Sequence, residues 1–347
     1  MKQTVALIFG GEGFERHISE LSAENLYRAI DKTLYDVLLV GISPRGEWYF
    51  CDGNVQKLRN GEWLSDSREL FPTYPVKLRE RSGLLSEGEI LDIACAIPCL
   101  HGDGGEDGII QGALRAAHIN YVGQDVYASA MTADKAYTKT VAEHLSIPTA
   151  KWTLLTTSDV KEAARTAEEL GFPLFLKPAR LGSSIGAHPV RDLKDFLDAF
   201  LDAREYDERI LCEELIPIKY ELECAFLKTE AKTHIAPFGR ISADGFYDFG
   251  TKYESKGSPK IDADGESEYV TDLAHEYSER LADFIGLSDL GRIDFFVSTD
   301  GKLYFNEINT FPGMTAKSLY PRLTERMGLL PGEFINQLIE AKIDRHI

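Results

Sequence analysis

The chain opens with TVALIFGG, an apolar run that stops at paired glycines. It continues with ISELSAENLYRAI, where apolar residues return every three or four positions and Ser19 stands near the start. Those patterns predict a buried strand, a glycine turn and an amphipathic helix. YDVLLVGI predicts a second strand. ILDIACAIPCL predicts another, ending at His101 in the loop HGDGGEDG, and IIQGALRAAH predicts the helix beyond it. Strand, turn, helix and strand in this order signal a doubly wound α/β domain whose ligands sit at the carboxyl ends of the strands. The strong patterning of this domain closes near Gly123.

From about residue 131 the pattern changes. DKAYTKTVAEHL, VKEAARTAEEL and DLKDFLDAFLDA have helical spacing; KWTLL, FPLFLKP and ILCEEL read as strands, with the glycine-serine loop RLGSSIG after Lys177. Next come the strand YELECAFL, the helix YVTDLAHEYSERLADFIG and the strand pair GRIDFFV and KLYFNEIN. The expected division is therefore 1–130, 131–216 and 217–347. Residues 243–265, rich in Gly, Asp, Ser and Lys without apolar periodicity, are the candidate lid.

Length agrees with this division, since 347 residues exceed one ordinary core at roughly 100–200 residues per domain. A hydrophobic fraction of 44% is ordinary for a globular chain, and no apolar run approaches the roughly 18 residues of a membrane span. The start, MKQTVALIFGGEG, lacks the form of a signal peptide, so a cytoplasmic protein without a membrane partner is expected. The five cysteines form no CxxC pair and lie mostly in strand-like text, which predicts free thiols. A net charge of -18 argues against nucleic acid, and leaves room for a small anionic ligand where lysines concentrate.

Candidate chemistry starts at GRIDFFVSTDGKLYFNEINT. Side chains at i and i+2 of a strand share a face, so Glu307 and Asn309 point one way, with Phe305 joining them and Ile308 opposite. The turn at Asp300-Gly301 pairs the strands antiparallel and brings Asp294, beside Arg292, to the same face. A few hard oxygen ligands next to an anion describe a magnesium site completed by water and phosphate oxygens. Lys177, ending an apolar strand before a glycine-serine loop, suits an anion, and Lys135 and Lys252 add positive charge. GxxxxGK[ST] is absent, and GGEG does not fulfil GxGxxG, which excludes a P-loop and argues against a nicotinamide fold. Glu15, at a strand-end crevice, suits a substrate ammonium; His101 is either a polar crevice residue or a turn residue.

GGEGFERHIS, LHGDGGEDGIIQG, SAMTADKAYTK, LKPARLGSSIG, EELIPIKYELECA, FYDFGTKY, GRIDFF and NEINTFPGMTAKSLYP occur in one order. In that order the chain resembles the D-alanine-D-alanine ligases of the ATP-grasp superfamily along essentially its whole length. The resemblance implies a Rossmann-like (pre-ATP-grasp) N-terminal domain, a central α+β domain and a C-terminal α+β domain. It implies an ATP-dependent, carbon-nitrogen bond-forming and ADP-forming ligase that phosphorylates one D-alanine and couples it to the amine of a second. Such an enzyme serves peptidoglycan precursor synthesis, cell wall biogenesis and cell shape, and relatives are commonly homodimers.

For the residues, the resemblance implies that Asp294, Glu307 and Asn309 hold two magnesium ions, with manganese as a substitute. Lys135, Lys177, Ser184 and Lys252 would contact the ATP phosphates, Glu213, Glu214 and Leu215 the adenine, and Glu221 the ribose. Glu15 would grip the first ammonium, with His101, Ser183 and Tyr253 positioning substrate. Arg292 and the Gly313 N–H would hold the oxyanion, and Ser318 and Leu319 the second substrate. Tyr253 favours an amine nucleophile, and the apolar Leu319 favours D-alanine over D-serine. His17, Arg240, Lys317 and a link between Glu213 and Glu221 one residue longer than usual depart from the family text. Another ATP-grasp ligase would share the magnesium hairpin without needing Glu15 or SLYP; a non-catalytic nucleotide-binding regulator would be expected to have lost Arg292 or a metal ligand.

Overall fold

The computed structural model describes residues 2–51, 55–65, 70–229, 233–235, 239–241, 261–262 and 268–343. The opening apolar run is β1 (Gln3–Gly10), buried from Val5 onward. After it come α1 (Arg16–Ala29), β2 (Tyr35–Ile42), β3 (Trp48–Cys51) and β4 (Leu70–Pro72). A separate antiparallel sheet follows, made of β5 (Tyr74–Leu78), β6 (Arg81–Ser86) and β7 (Glu89–Leu91), then β8 (Cys95–Pro98) and α2 (Ile109–Ala116). The main sheet has the order β4-β3-β2-β1-β8, with β1 parallel to both β2 and β8. Parallel strands at the centre of a sheet are covered on both faces, which accounts for the continuous rather than alternating apolar text of β1.

ILDIACAIPCL, expected as one strand, is divided. Its first residues end β7 in the small sheet, and β8 begins at Cys95 in the main one. Asp92 sits at the break, 3.7 Å from Arg81 and largely in solvent, where a continuous buried strand would have had to enclose its charge. Ser19 also differs from a helix-start residue: α1 is capped at Glu15 without a side-chain bond, and the Ser19 hydroxyl accepts from Gly10 N (2.9 Å) and donates to Cys99 O (2.5 Å).

The middle of the chain forms α3 (Val126–Ala133), α4 (Lys135–His144), β9 (Trp152–Leu155), α5 (Val160–Leu170), β10 (Leu174–Pro178), β11 (His188–Val190), α6 (Leu193–Tyr206) and β12 (Ile210–Glu214). Each helix begins where an aspartate, at 125, 134, 159 or 192, accepts a first-turn backbone N–H. The sheet β11-β10-β12-β9 is antiparallel throughout. Last come β13 (Ile218–Lys228), β14 (Thr233–Ile235), β15 (Gly239–Ile241), β16 (Ile261–Asp262), α7 (Glu268–Ile285), β17 (Asp289–Ser298), β18 (Leu303–Asn309), α8 (Leu319–Arg326) and α9 (Pro331–Ile343). Their sheet runs β16-β15-β13-β17-β18, with β14 on β13. All five cysteines are free thiols, and burial pushes those of Cys51, Cys212 and Cys224 up to about 12.

The cores cross the sequence divisions at 130 and 217. Ala128, at the end of the first segment, and Ala142 and Ile147 of the middle one pack with Phe295, Phe305 and Ile308 of the last sheet. At the far end, Phe334, Ile335, Leu338 and Ile339 of α9 pack with Val5, Leu7, Phe9 and Leu26 of the first domain. Lys342 seals that contact with Asp289 Oδ1 at 2.8 Å, while Asp289 Oδ2 accepts from Gly123 N at 2.7 Å. Because Phe334 is wholly buried in this shared core, Phe334→Ala is expected to cost about 3–5 kcal/mol in denaturant unfolding. A loss below about 1 kcal/mol would show that α9 contributes little to the first core.

Candidate active site

The register of β17 and β18 sets Arg292 opposite Asn309 and Asp294 opposite Glu307, and then shifts between Asp294 and Phe295. Asn306 is the extra residue of this bulge. A bulge resets the alternation of faces, so Phe305 lies with Ile308 in the core instead of beside Glu307 and Asn309. Asn306 itself faces Lys177, whose Nζ donates to its Oδ1 at 3.2 Å. Adjacent polar residues, Asn306 and Glu307, were the trace of this bulge in the sequence.

Arg292 is nearly enclosed. Its Nε and Nη2 donate to Asp294 Oδ1 and Oδ2 at 2.8 and 2.7 Å, and Nε lies 3.1 Å from Glu223 Oε2. Burial opposes its charge, but Asp294 and Glu223 more than offset that and hold the guanidinium charged well above its usual range. The Asn309 amide donates to Asp294 Oδ2 at 3.0 Å. Glu223 is a residue the sequence reading missed; its signal was the i, i+2 acid pair of YELEC, which places Glu221 and Glu223 on one strand face. Among the described residues no group of three or more His, Cys, Asp or Glu is arranged to hold a metal ion.

Glu15 follows the glycine turn after β1 and accepts from the Ser183 hydroxyl at 2.5 Å, bringing the first and middle segments together. Ser183 and Ser184 both hold left-handed backbone, φ 55° and 57°, a cost concentrated where the loop meets a functional group. The loop is anchored at Arg180, which donates its N–H (3.0 Å) and Nη2 (2.5 Å) to Asp207. Glycines shape the Glu15 pocket: a Cβ on Gly102, at φ +66°, would meet the carboxylate at 2.5 Å.

The turn after β18 is gripped from the first domain. His101 Nδ1 lies 2.9 Å from Phe311 O, so that nitrogen carries the proton, and Nε2, 3.1 Å from the Ser22 hydroxyl, accepts. Burial pushes the imidazole pKa down, in keeping with the neutral form. Ser22 Oγ in turn accepts from Met314 N at 3.0 Å, and Asn25 donates to Met314 O at 3.1 Å. Glu106, unassigned from sequence although it lay in the quoted HGDGGEDG loop, accepts from Phe311 N (2.9 Å) and Gly102 N (3.0 Å). Within the turn, Gly313 has ordinary φ, but a Cβ there would meet Ser318 Oγ at 2.9 Å; its need is close approach.

These groups line one cavity of about 1000 Å³: Glu15, His101, Glu106, Lys135, Ser183, Arg292, Glu307, Asn309, Gly313, Lys317, Ser318 and Leu319 are all in its wall. Asp294, Lys177, Ser184, Glu213, Glu214, Leu215 and Glu221 are not in that wall. Lys135 donates to Leu181 O at 2.8 Å and lies 3.5 Å from Glu307. The Glu213 carboxylate is buried between Lys139 (2.6 Å) and Lys177 (2.9 Å), while Glu214 accepts from Lys151 N at 2.9 Å and Leu215 N donates to Pro173 O at 3.0 Å. Lys252, Tyr253 and most of the expected lid lie outside the described residues, which include only Ile261 and Asp262 of it. No helix among the described residues is long and apolar enough to cross a membrane.

Residues 4–124 match the family model described as D-ala D-ala ligase N-terminus, and residues 141–340 the D-ala D-ala ligase C-terminus. The chain is 35% identical to a D-alanine--D-alanine ligase of Ruminiclostridium cellulolyticum, across 99% of this chain and 96% of that relative. It is also 35% identical to one of Acetivibrio thermocellus, across 99% and 97%. Its fold is similar to the crystal structure of the VanG D-Ala:D-Ser ligase from Enterococcus faecalis (TM-score 0.89, 31% identity, 99% of this chain and 100% of that one). The D-alanine-D-alanine ligase from Coxiella burnetii is similar too (TM-score 0.86, 30% identity, 99% and 95%).

Burial and then the nearby Glu15 push the Glu106 carboxyl from 4.5 up to about 7. For an acid raised by folding, the contribution to stability is full below the unfolded value and is lost as pH rises through the folded one. Glu106→Gln removes that titration. Relative to the parent, the variant is expected to gain on the order of 2 kcal/mol between about pH 5 and pH 8 in urea unfolding. A stability difference that does not change with pH would refute the raised carboxyl.

Proposed function

The chain belongs to the D-alanine-D-alanine ligase family, with its ATP-grasp fold, and from that premise we propose that it joins two D-alanines into D-alanyl-D-alanine at the expense of ATP. The observation that carries the reading is the single cavity in which Glu15, Ser183, Arg292, Glu307, Asn309, Gly313 and Leu319 meet. Cytoplasmic action in peptidoglycan precursor synthesis, with its effect on cell wall and cell shape, and a homodimeric state belong to the same proposal.

A carboxylate is a poor electrophile, and transfer of the γ-phosphoryl group gives it a leaving group. The protein's work is positioning and charge neutralisation. In this proposal Glu15, fixed by the Ser183 hydroxyl, holds the ammonium of the first D-alanine. A carboxylate oxygen of that D-alanine forms the new O–P bond while the bond from the γ-phosphorus to the bridging oxygen breaks, releasing ADP. The second D-alanine, its ammonium having released a proton to solvent, then attacks the acyl carbon through the free amine, and the nitrogen gives up a second proton as the amide forms. Arg292 and the Gly313 N–H hold the resulting oxyanion, and phosphate departs as the peptide bond forms. Lys135 and Lys177 are assigned to the phosphates, with Ser184 and Lys252 beside them. Glu213, Glu214 and Leu215 are assigned to the adenine edge, Glu221 to the ribose, and His101 and Tyr253 to positioning substrate.

Asp294, Glu307 and Asn309 present the hard oxygens that magnesium or manganese takes, adjacent on one strand pair. Bound there, two divalent ions supply charge neutralisation for the β- and γ-phosphates. Access to Asp294 is shared with Arg292, which holds both its oxygens.

The second subsite is apolar at Leu319, a residue 6% exposed in the cavity wall, beside Ser318 at the start of α8. A methyl group fits against the Leu319 side chain, which itself offers a hydroxyl no partner, a preference of about 1–3 kcal/mol. The likeness to a D-Ala:D-Ser ligase makes D-serine the competing second substrate.

Purified protein with ATP, magnesium and D-alanine is expected to release phosphate and form the dipeptide, identified by mass. Failure to release phosphate with any D-amino acid would sink the ligase reading, and preferential D-alanyl-D-serine formation would move the second substrate to D-serine. Arg292→Lys, which keeps a positive charge against Asp294 and Glu223, is expected to lower kcat by about 10²–10³. Activity within threefold of the parent would remove Arg292 from the oxyanion site.

A further inference from the structure

Lys139 lies one turn after Lys135 on α4, and its side chain is 1% exposed. A buried ammonium is costly unless closely paired. Its partner is Glu213 Oε1 on β12, at 2.6 Å, and the other oxygen of that carboxylate takes Lys177 of β10 at 2.9 Å. Lys177 also reaches Asn306 in the β18 bulge, and Glu307, the next residue, lies 3.5 Å from Lys135. The contacts form a closed ring running from α4 through β12, β10 and β18 back to α4.

We propose that Lys139 is a positioning residue for nucleotide binding: it takes up the charge of Glu213, so that Lys177 keeps its own charge and its direction for the ATP phosphates. The inference rests on the ligase reading above. Lys139 and Lys177 against one carboxylate leave a net charge of one positive unit. Burial pushes the Glu213 carboxyl up, but the two lysines pull it down further, to about 2, so it stays ionised. Burial lowers the Lys139 pKa, and Glu213 works against that. Glu143, the other acid near Lys139, is occupied by Trp152 Nε1 at 2.8 Å. Without Lys139, the remaining Lys177–Glu213 pair is neutral and offers the phosphates no net attraction.

The test compares ATP and adenosine affinities, by calorimetry and competition, because adenosine shares the base and sugar but lacks the phosphates. Lys139→Met is expected to lower the ATP-to-adenosine affinity ratio about tenfold, and Lys139→Arg to recover most of it. Lys139→Met with Glu213→Gln removes both buried charges, restores one net positive charge on Lys177 and is expected to return the ratio to that of the parent. An unchanged ratio in Lys139→Met, or a double variant as low as the single one, would overturn the inference. If Lys139→Met does not fold, the double variant decides: a ratio tenfold below the parent refutes the proposal. No ATP binding by the parent protein would remove the ligase reading itself, and with it the inference.

Discussion

Burying the Arg292 guanidinium is the constraint from which much of the site follows. A charge taken out of water needs partners placed to within an ångström, and Arg292 has two: Asp294, two residues along the same strand, and Glu223 on the neighbouring one. Both belong to the register of β13, β17 and β18, in which Glu223 faces Asp294 and Asp294 faces Glu307. Sliding either strand by one residue would turn these charges into the Phe295–Phe305 core. The ion cluster thus fixes the alignment that brings Glu307 and Asn309 to the cavity.

The other wall depends on the first domain. The turn Phe311–Met314 is bonded through Phe311 O and N to His101 and Glu106, and through Met314 to Ser22 and Asn25. None of these four partners is close to the turn in sequence, so the Gly313 amide is placed by domain docking as much as by the hairpin that precedes it. His101, which the sequence left between crevice residue and turn residue, lines the cavity and also grips the turn. In its neutral form it can donate to the carbonyl and accept from Ser22 at the same time, which a protonated ring could not do.

Much of this was legible from the chain. Long periodic segments such as VKEAARTAEEL and the hairpin GRIDFFV–KLYFNEIN became α5, β17 and β18 because their apolar spacing decides both element and buried face. What escaped was non-local or broke the period. The bulge at Asn306 moves Phe305 to the core, and only pairing with β17 reveals it. Glu106 and Glu223 looked like ordinary polar positions until backbone N–H groups and Arg292 were seen to converge on them. Glu213 was assigned by resemblance to the adenine; the lysines that enclose it come from a helix and a strand roughly 75 and 35 positions earlier.

Net charge was the weakest guide of all to the ligand. A chain carrying -18 is by net charge a poor host for a polyanion, yet exposed charges beyond about 8–10 Å are screened at physiological salt, while buried ones are screened much less. The surface acids therefore count for little beside the local arrangement of Lys135, Lys139, Lys177 and Arg292, each buried or nearly so. Their acids are held in turn: Glu213 takes two lysines, Asp294 and Glu223 share one arginine, and Glu307 faces Lys135. An acidic protein can in this way set individual cations where an anion is to bind, provided each is held by the fold before the anion arrives.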